Sequence, residues 1–186
     1  MCRNLYILFV LSVLLPSCSN TKPRIYVVCE ENNVGNSIIK WETIPTLPGE
    51  VKVYASEDPD HNSEERLVAS APISDQRLTV ITSDPTRRYY YRMVFADEYK
   101  VDVATRNINI PGIQNFRDLG GYPSYPNHKT VRWGKIYRSG EINRLRKGSL
   151  KEMKNLGIRT IIDLRMPEEK ITKSATLEKN FSVVSI

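Results

Sequence analysis

Polar and apolar residues follow three successive rhythms along this 186-residue chain. Residues 5–15 form an almost unbroken apolar run, LYILFVLSVLL. From about residue 24 the apolar positions alternate with polar ones, as in Val51, Val53 and Ala55 or Tyr91, Met93 and Phe95. A period of two predicts strands with one buried face. Strands are predicted at 25–29, 37–41, 51–55, 67–70, 77–81, 89–95 and 100–105, most of them separated by turn-rich stretches at 30–36, 45–50, 56–65 and 83–87. Seven short strands in about 85 residues predict an all-β sandwich over 24–110. From 111 the rhythm changes again. A glycine-rich turn is followed by a predicted hairpin, in which 130–137 pairs with 121–125. A helix then opens at Ser149 as N-cap with Glu152 closing a capping box, carries Leu150, Met153 and Leu156 on one face, and ends at Gly157. The nearly continuous apolar stretch 158–164, IRTIIDL, predicts a parallel strand buried on both faces. Pro167 starts a second helix, and 182–186 begins another strand. The second half therefore reads as the opening of an α/β domain, 111–186.

The first apolar run is too short to stay in a bilayer as a spanning helix and follows the single positive charge of Arg3, so residues 1–17 read as an export signal. Its end, Leu15-Pro16-Ser17-Cys18, resembles the cleavage box of bacterial lipoproteins. That resemblance implies cleavage before Cys18 and acylation of its sulfur and new amino group. Acyl chains bind a bilayer with ~0.8 kcal/mol per buried methylene. Residues 18–23 then form a polar tether, and the protein is expected to be an exported, membrane-anchored lipoprotein of a bacterial cell envelope. A plain secretory signal cut nearby is the alternative. The remaining cysteine, Cys29, reads as a lone thiol buried on a strand; no disulfide framework, zinc spacing or cofactor motif is present. His61 and His128 read as surface loop residues. The spacing Cys18-x5-Arg24 formally matches a cysteine-phosphatase loop, but no buried strand precedes it, no glycine loosens it, and Pro23 removes an N–H donor.

Within 24–110, Trp41 closes the second strand and Tyr89, Tyr90 and Tyr91 open the sixth. Together with the strand spacing they resemble an immunoglobulin or fibronectin type III sandwich, in which one tyrosine near that corner bonds back across it. The domain reads as a spacer or a binding module. Charge is uneven: 18–110 holds 11 basic against 14 acidic residues, and 111–186 holds 15 against 7. The basic half suits an anionic partner such as a phosphorylated substrate, a nucleic acid or a lipid headgroup, or is simply a solvated basic surface.

The chemistry concentrates at 115–122, N-F-R-D-L-G-G-Y. Paired glycines permit a close backbone approach, and Arg117 and Asp118, being adjacent on an extended chain, face opposite sides. The order N-F-R-D-L-G-G, Y-R-S-G, L-G-I-x-T-I-I-D-L-R and P-E-E resembles bacterial tyrosine phosphatases of the atypical dual-specificity type. The resemblance implies a parallel sheet flanked by helices and hydrolysis of phosphate monoesters, on proteins or phosphoinositides, through a cysteinyl-phosphate. It assigns Asp163 as general acid, Arg138 and Arg165 to the substrate phosphate, and Arg117 and Asp118 to bracing the phosphate-binding loop. Asp163 as a strand-end cap, and Arg117–Asp118 as architecture only, are the structural alternatives. Phosphorylated protein or phospholipid is the expected substrate, with no nucleic acid. The family's His-Cys-x5-Arg loop has no counterpart here, since no cysteine follows Cys29 and no histidine follows His128. The expected fold class is thus a sandwich followed by a truncated phosphatase domain, without turnover by these residues alone. A surface lipoprotein binding module with a phosphatase remnant is the alternative function.

Overall fold

The computed structural model describes residues 22–32, 35–63, 65–81, 84, 87–125, 129–142, 145–166 and 175–185. The segment read as an export signal, Cys18, His128 and the expected helix start at Pro167 lie outside the described residues.

Alternating side chains build the first half. Strands β1 (Arg24–Glu31), β2 (Ser37–Ile44), β3 (Glu50–Ser56), β4 (Arg66–Pro72), β5 (Arg77–Val80), β6 (Tyr90–Phe95) and β7 (Tyr99–Ala104) fall where the period-two pattern puts them. They form two antiparallel sheets, ordered β1-β2-β5 and β4-β3-β6-β7. Inward residues of both sheets share one core: Ile39 and Trp41 from the first, Val51, Val53, Met93 and Phe95 from the second. Trp41 packs edge-on to Phe95 and donates its indole N–H to the Ile73 carbonyl at 2.8 Å. Of the three candidate tyrosines, Tyr91 is the one that crosses between sheets, donating to Ser37 Oγ at 2.9 Å. A buried aromatic hydroxyl needs such a partner. The starts of β1 and β7 lie together around a shallow depression lined by Lys22, Ile25, Tyr99 and Val101. The chain therefore enters the sandwich at one end and leaves it, after Ala104, at the other.

His61 departs from the sequence reading. It is buried, with Nδ1 3.1 Å from Glu65 Oε1 and Nε2 3.8 Å from Asp102 Oδ1. The loop after β3 curls around Asp58, whose carboxylate accepts the Asp60 and Asn62 N–H groups. That curl turns the His61 ring inward, a result that local polarity does not reveal.

The second half begins with two short pairs, β8 (Arg117–Asp118) with β11 (Tyr137–Arg138) and β9 (Pro123–Ser124) with β10 (Lys129–Thr130). The hairpin exists, but residues 130–137 are not one strand. A turn at Trp133–Lys135 divides them, because Trp133 leaves the hairpin to join the sandwich core. Helix α1 (Lys147–Asn155) starts earlier than expected. Arg146 holds the N-cap position, and Ser149 lies inside the helix, buried, with its hydroxyl bonded to the Pro111 carbonyl. The expected capping box therefore does not form. The other end is as expected. Gly157 takes φ +73°, its N–H meets the Lys154 carbonyl, and the Ile158 N–H meets that of Met153. This is a Schellman closure, which glycine permits without strain.

Strand β12 (Thr160–Asp163) runs parallel to β13 (Ser182–Ser185), and α2 (Ala175–Asn180) leads into β13. Met153, Ile110, Ile113, Phe116, Leu177 and Phe181 make a second core, with Ile108, Leu150, Leu156, Ile161 and Val183 against it. The boundary between the two predicted domains thus contributes Ile108 and Ile110 to that core. β12 is not buried on both faces as expected: Ile162 is 60% and Leu164 77% exposed, because among the described residues nothing packs over that side. Overall the described chain is rich in sheet, with two short α-helices and one 3-10 turn at Ile73–Asp75.

Candidate functional site

The motif at 115–122 sits where the two cores meet. β8 is tied on one side to β11 and on the other to the chain leaving β7, through the Asn107–Arg117 bridge and the Asp118 N–H to Arg106 carbonyl bond. In so short a strand the two side chains must face opposite ways. Asp118 points inward and is fully buried; Arg117 points outward and is exposed.

The Asp118 carboxylate is satisfied entirely from within the chain. Oδ1 accepts the Gly120 N–H at 2.8 Å, and Oδ2 accepts the Gly134 N–H at 2.8 Å and Arg88 Nη2 at 2.7 Å. Arg88 stands on the sandwich just before β6. It also donates to the Thr105 carbonyl and lies against the rings of Tyr90 and Tyr137. Arg106 donates to the Asp118 carbonyl and stacks on Tyr122 and Trp133. Trp133 donates its indole N–H to the Asp102 carbonyl at 3.0 Å. The first motif glycine is required by this contact: a Cβ on Gly120 would stand 2.6 Å from Trp133 Cα. Real Cβ atoms do not come so close, so only glycine admits the tryptophan. An outer pair, Lys135 to Asp60 at 2.6 Å, is more exposed and weaker.

Across β8 and β11 the register sets Tyr137 opposite Asp118 and Arg138 opposite Arg117. Tyr137 faces inward, stacked on Phe116 at 5.3 Å, and burial pushes its hydroxyl pKa well above the usual phenol range. Arg138 faces outward and is exposed.

At the C-terminal end of β12, Asp163 and Arg165 bind each other. Arg165 Nε reaches Asp163 Oδ1 at 3.0 Å and Nη2 reaches Oδ2 at 2.8 Å, while Nη1 holds Glu141 at 2.8 Å. The hydrogen bond to Asp163, with Glu141 adding to it, pushes the guanidinium pKa up. The structure thus joins Asp163 to Arg165 and, through Glu141, ties both to the segment that carries Arg138. Arg117 comes to Arg138 across the strand pair. Asp118 does not join them, since it faces the sandwich. Sequence reasoning had no signal for Arg88, which lies 30 residues from Asp118 in a turn-rich stretch.

Cys29 lies on β1, buried as expected. Burial pushes its thiol from an ordinary value of 9.0 up to about 12, against a small opposing effect of the Ser37 hydrogen bond. A thiol that stays protonated is no nucleophile at neutral pH. Among the described residues no group of three or more histidine, cysteine or acidic side chains could hold a metal ion, and no helix is long and apolar enough to cross a membrane.

Residues 108–186 match the model of the tyrosine phosphatase family. A Cupriavidus necator protein that carries the provisional name of a tyrosine-protein phosphatase is 34% identical over 73 residues, 39% of this chain and 26% of that protein. The chain therefore spans about a quarter of the length of this curated relative. Among solved structures, pectate lyase Pel3 from Pectobacterium carotovorum aligns at 17% identity over 44% of this chain and 24% of that one, with a TM-score of 0.34. A likeness at that level carries no argument.

Two outcomes test the site. Asp118→Ala strands the buried Arg88 charge and two N–H groups, so it should lower unfolding stability by about 3–5 kcal/mol in denaturant titrations. The raised Cys29 pKa works in the opposite pH direction from a paired carboxylate. The unfolded thiol ionises near its ordinary value while the folded one does not, so the contribution is complete below pH 9 and is lost as pH climbs toward about 12. Denaturation midpoints followed across that range should fall, and Cys29→Ala should flatten the fall.

Proposed function

We propose that residues 108–186 are the opening part of a phosphatase domain that hydrolyses phosphate monoesters of the tyrosine or dual-specificity kind through a cysteinyl-phosphate. The observation that carries this is the family match over that whole segment, with the N-F-R-D-L-G-G motif inside it. In this reading Arg138 and Arg165 bind the substrate phosphate, where a planar guanidinium meets two oxygens at once. Asp163 is the general acid that protonates the leaving oxygen and then activates water. Its present two-point bond to Arg165 supports a simple exchange. When Arg165 turns to the phosphate, Asp163 is released to hold a proton. Arg117 and Asp118 brace the surrounding loops.

The family's thiolate loop has no counterpart in these 186 residues, because no cysteine follows Cys29. By this proposal the 186 residues alone release no phosphate. Purified 1–186 protein given an aryl phosphate should show no vanadate-sensitive phosphate release, and such release would overturn the assignment. In a protein completed with the cysteine loop, Asp163→Asn should lower kcat by about 10²–10⁴-fold.

The sandwich is read as fibronectin type III-like, on the strength of its three-plus-four strand order, the core Trp41 and the cross-sheet Tyr91. Cys18 is read as the lipid attachment site that anchors the protein in a bacterial envelope membrane, with phosphorylated protein or phospholipid as substrate. Radiolabelled palmitate should enter the full chain and be lost in Cys18→Ala; label that persists removes the anchor.

A further inference from the structure

We infer that Arg117 is a phosphate-binding residue, acting with Arg138 as a cross-strand clamp for a phosphate monoester dianion. The inference rests on the phosphatase reading for Arg138 and extends it to a residue otherwise assigned only a bracing role.

The register carries the argument. Arg117 and Arg138 are direct partners in the antiparallel β8–β11 pair. Direct partners point to the same side, with Cβ atoms about 5 Å apart. Both side chains are exposed, and neither makes an ion pair among the described residues. Two like charges placed opposite each other repel and weaken the pair. Nothing in the local fold requires them, since the pair is held from its other face. There Asp118 is bonded to Arg88 and two N–H groups, and Tyr137 is stacked on Phe116. The neighbouring guanidiniums are already engaged: Arg88 by Asp118, Arg106 by the Asp118 carbonyl and two rings, and Arg165 by Asp163 and Glu141. Arg117 and Arg138 are left as two adjacent planar forks on a two-residue strand pair. A phosphate dianion between them would accept from both and cancel their repulsion. Arg117 braces the loop through its backbone, by the Asn107 bridge and the β11 pair, which leaves its side chain for the anion.

Two signs of opposite direction distinguish this role from a structural one. In the 1–186 protein, inorganic phosphate or tungstate should raise the thermal midpoint, with sulfate-free chloride at equal ionic strength as the screening control. Arg117→Gln and Arg138→Gln should each weaken that anion response by about ten-fold or more. In the absence of the anion, each should leave the midpoint unchanged or raise it slightly, because repulsion is relieved. Arg117→Lys should recover part of the response. Phosphotyrosine and inositol monophosphate, titrated separately, identify whether the clamp favours a protein-borne or a lipid-type phosphate, and competition by either supports it. If Arg138→Gln loses the response and Arg117→Gln keeps it, the clamp is overturned and the reading of Arg138 stands. If neither substitution changes it, or the unsubstituted chain shows no response, both fail. A lower anion-free midpoint in Arg117→Gln makes Arg117 a brace and overturns the clamp.

Discussion

A single carboxylate, that of Asp118, governs how this chain is put together. It is completely buried, and two backbone N–H groups and the Arg88 guanidinium surround it. A buried ion pair adds little net stability over an apolar equivalent, because both charges lose water. Its importance lies in the arrangement it imposes. Each of its three donors comes from a different place: the motif turn, the Trp133–Lys135 turn and the sandwich. Only one relative placement of those three satisfies the charge, and any other leaves it unpaired at a cost of several kcal/mol. The direction of Arg117 and Arg138 toward solvent follows from the same constraint, since their neighbours along each strand, Asp118 and Tyr137, are the residues held inside.

The second core depends on that placement less directly. Ile110, Ile113 and Phe116 reach it from the motif side, and Met153, Leu177 and Phe181 from the helices. Ser149 links the two by bonding Pro111 from within α1. The Schellman closure at Gly157 then aims the chain into β12, and β12 delivers Asp163 and Arg165 to its C-terminal end. The sequence of constraints runs from an ion pair, to a two-residue strand pair, to a helix, to the Asp163–Arg165 pair of the candidate site.

What could be read from the sequence, and what could not, divides along the distance over which each feature is determined. The seven sandwich strands were legible because alternation is a local pattern and both sheets have one buried face. Cys29 on its strand and Gly157 at its helix end were legible for the same reason. Ser149 was misread because a capping box and a buried helical serine share one local signature; only the Pro111 carbonyl, 38 residues away, separates them. His61 was misread, and the strand predicted at 130–137 is broken at Trp133, because each side chain is drawn inward by a tertiary contact. The motif residues were legible as chemistry, and the adjacency of Arg117 and Asp118 correctly set them on opposite sides. That Arg117 stands across from Arg138 depends on a register only two residues long, which no periodicity could supply.

The common end of β1 and β7 has a mechanical meaning. Tension applied between the chain's entry at Lys22 and its exit after Ala104 runs lengthwise along strands of six to eight residues. At about 3.3 Å per residue that is a strut of roughly 20–25 Å. Load in this direction shears many interstrand bonds at once instead of opening them one by one. A pull on the amino terminus would thus reach the Asp118 junction lengthwise through the two sheets of the sandwich.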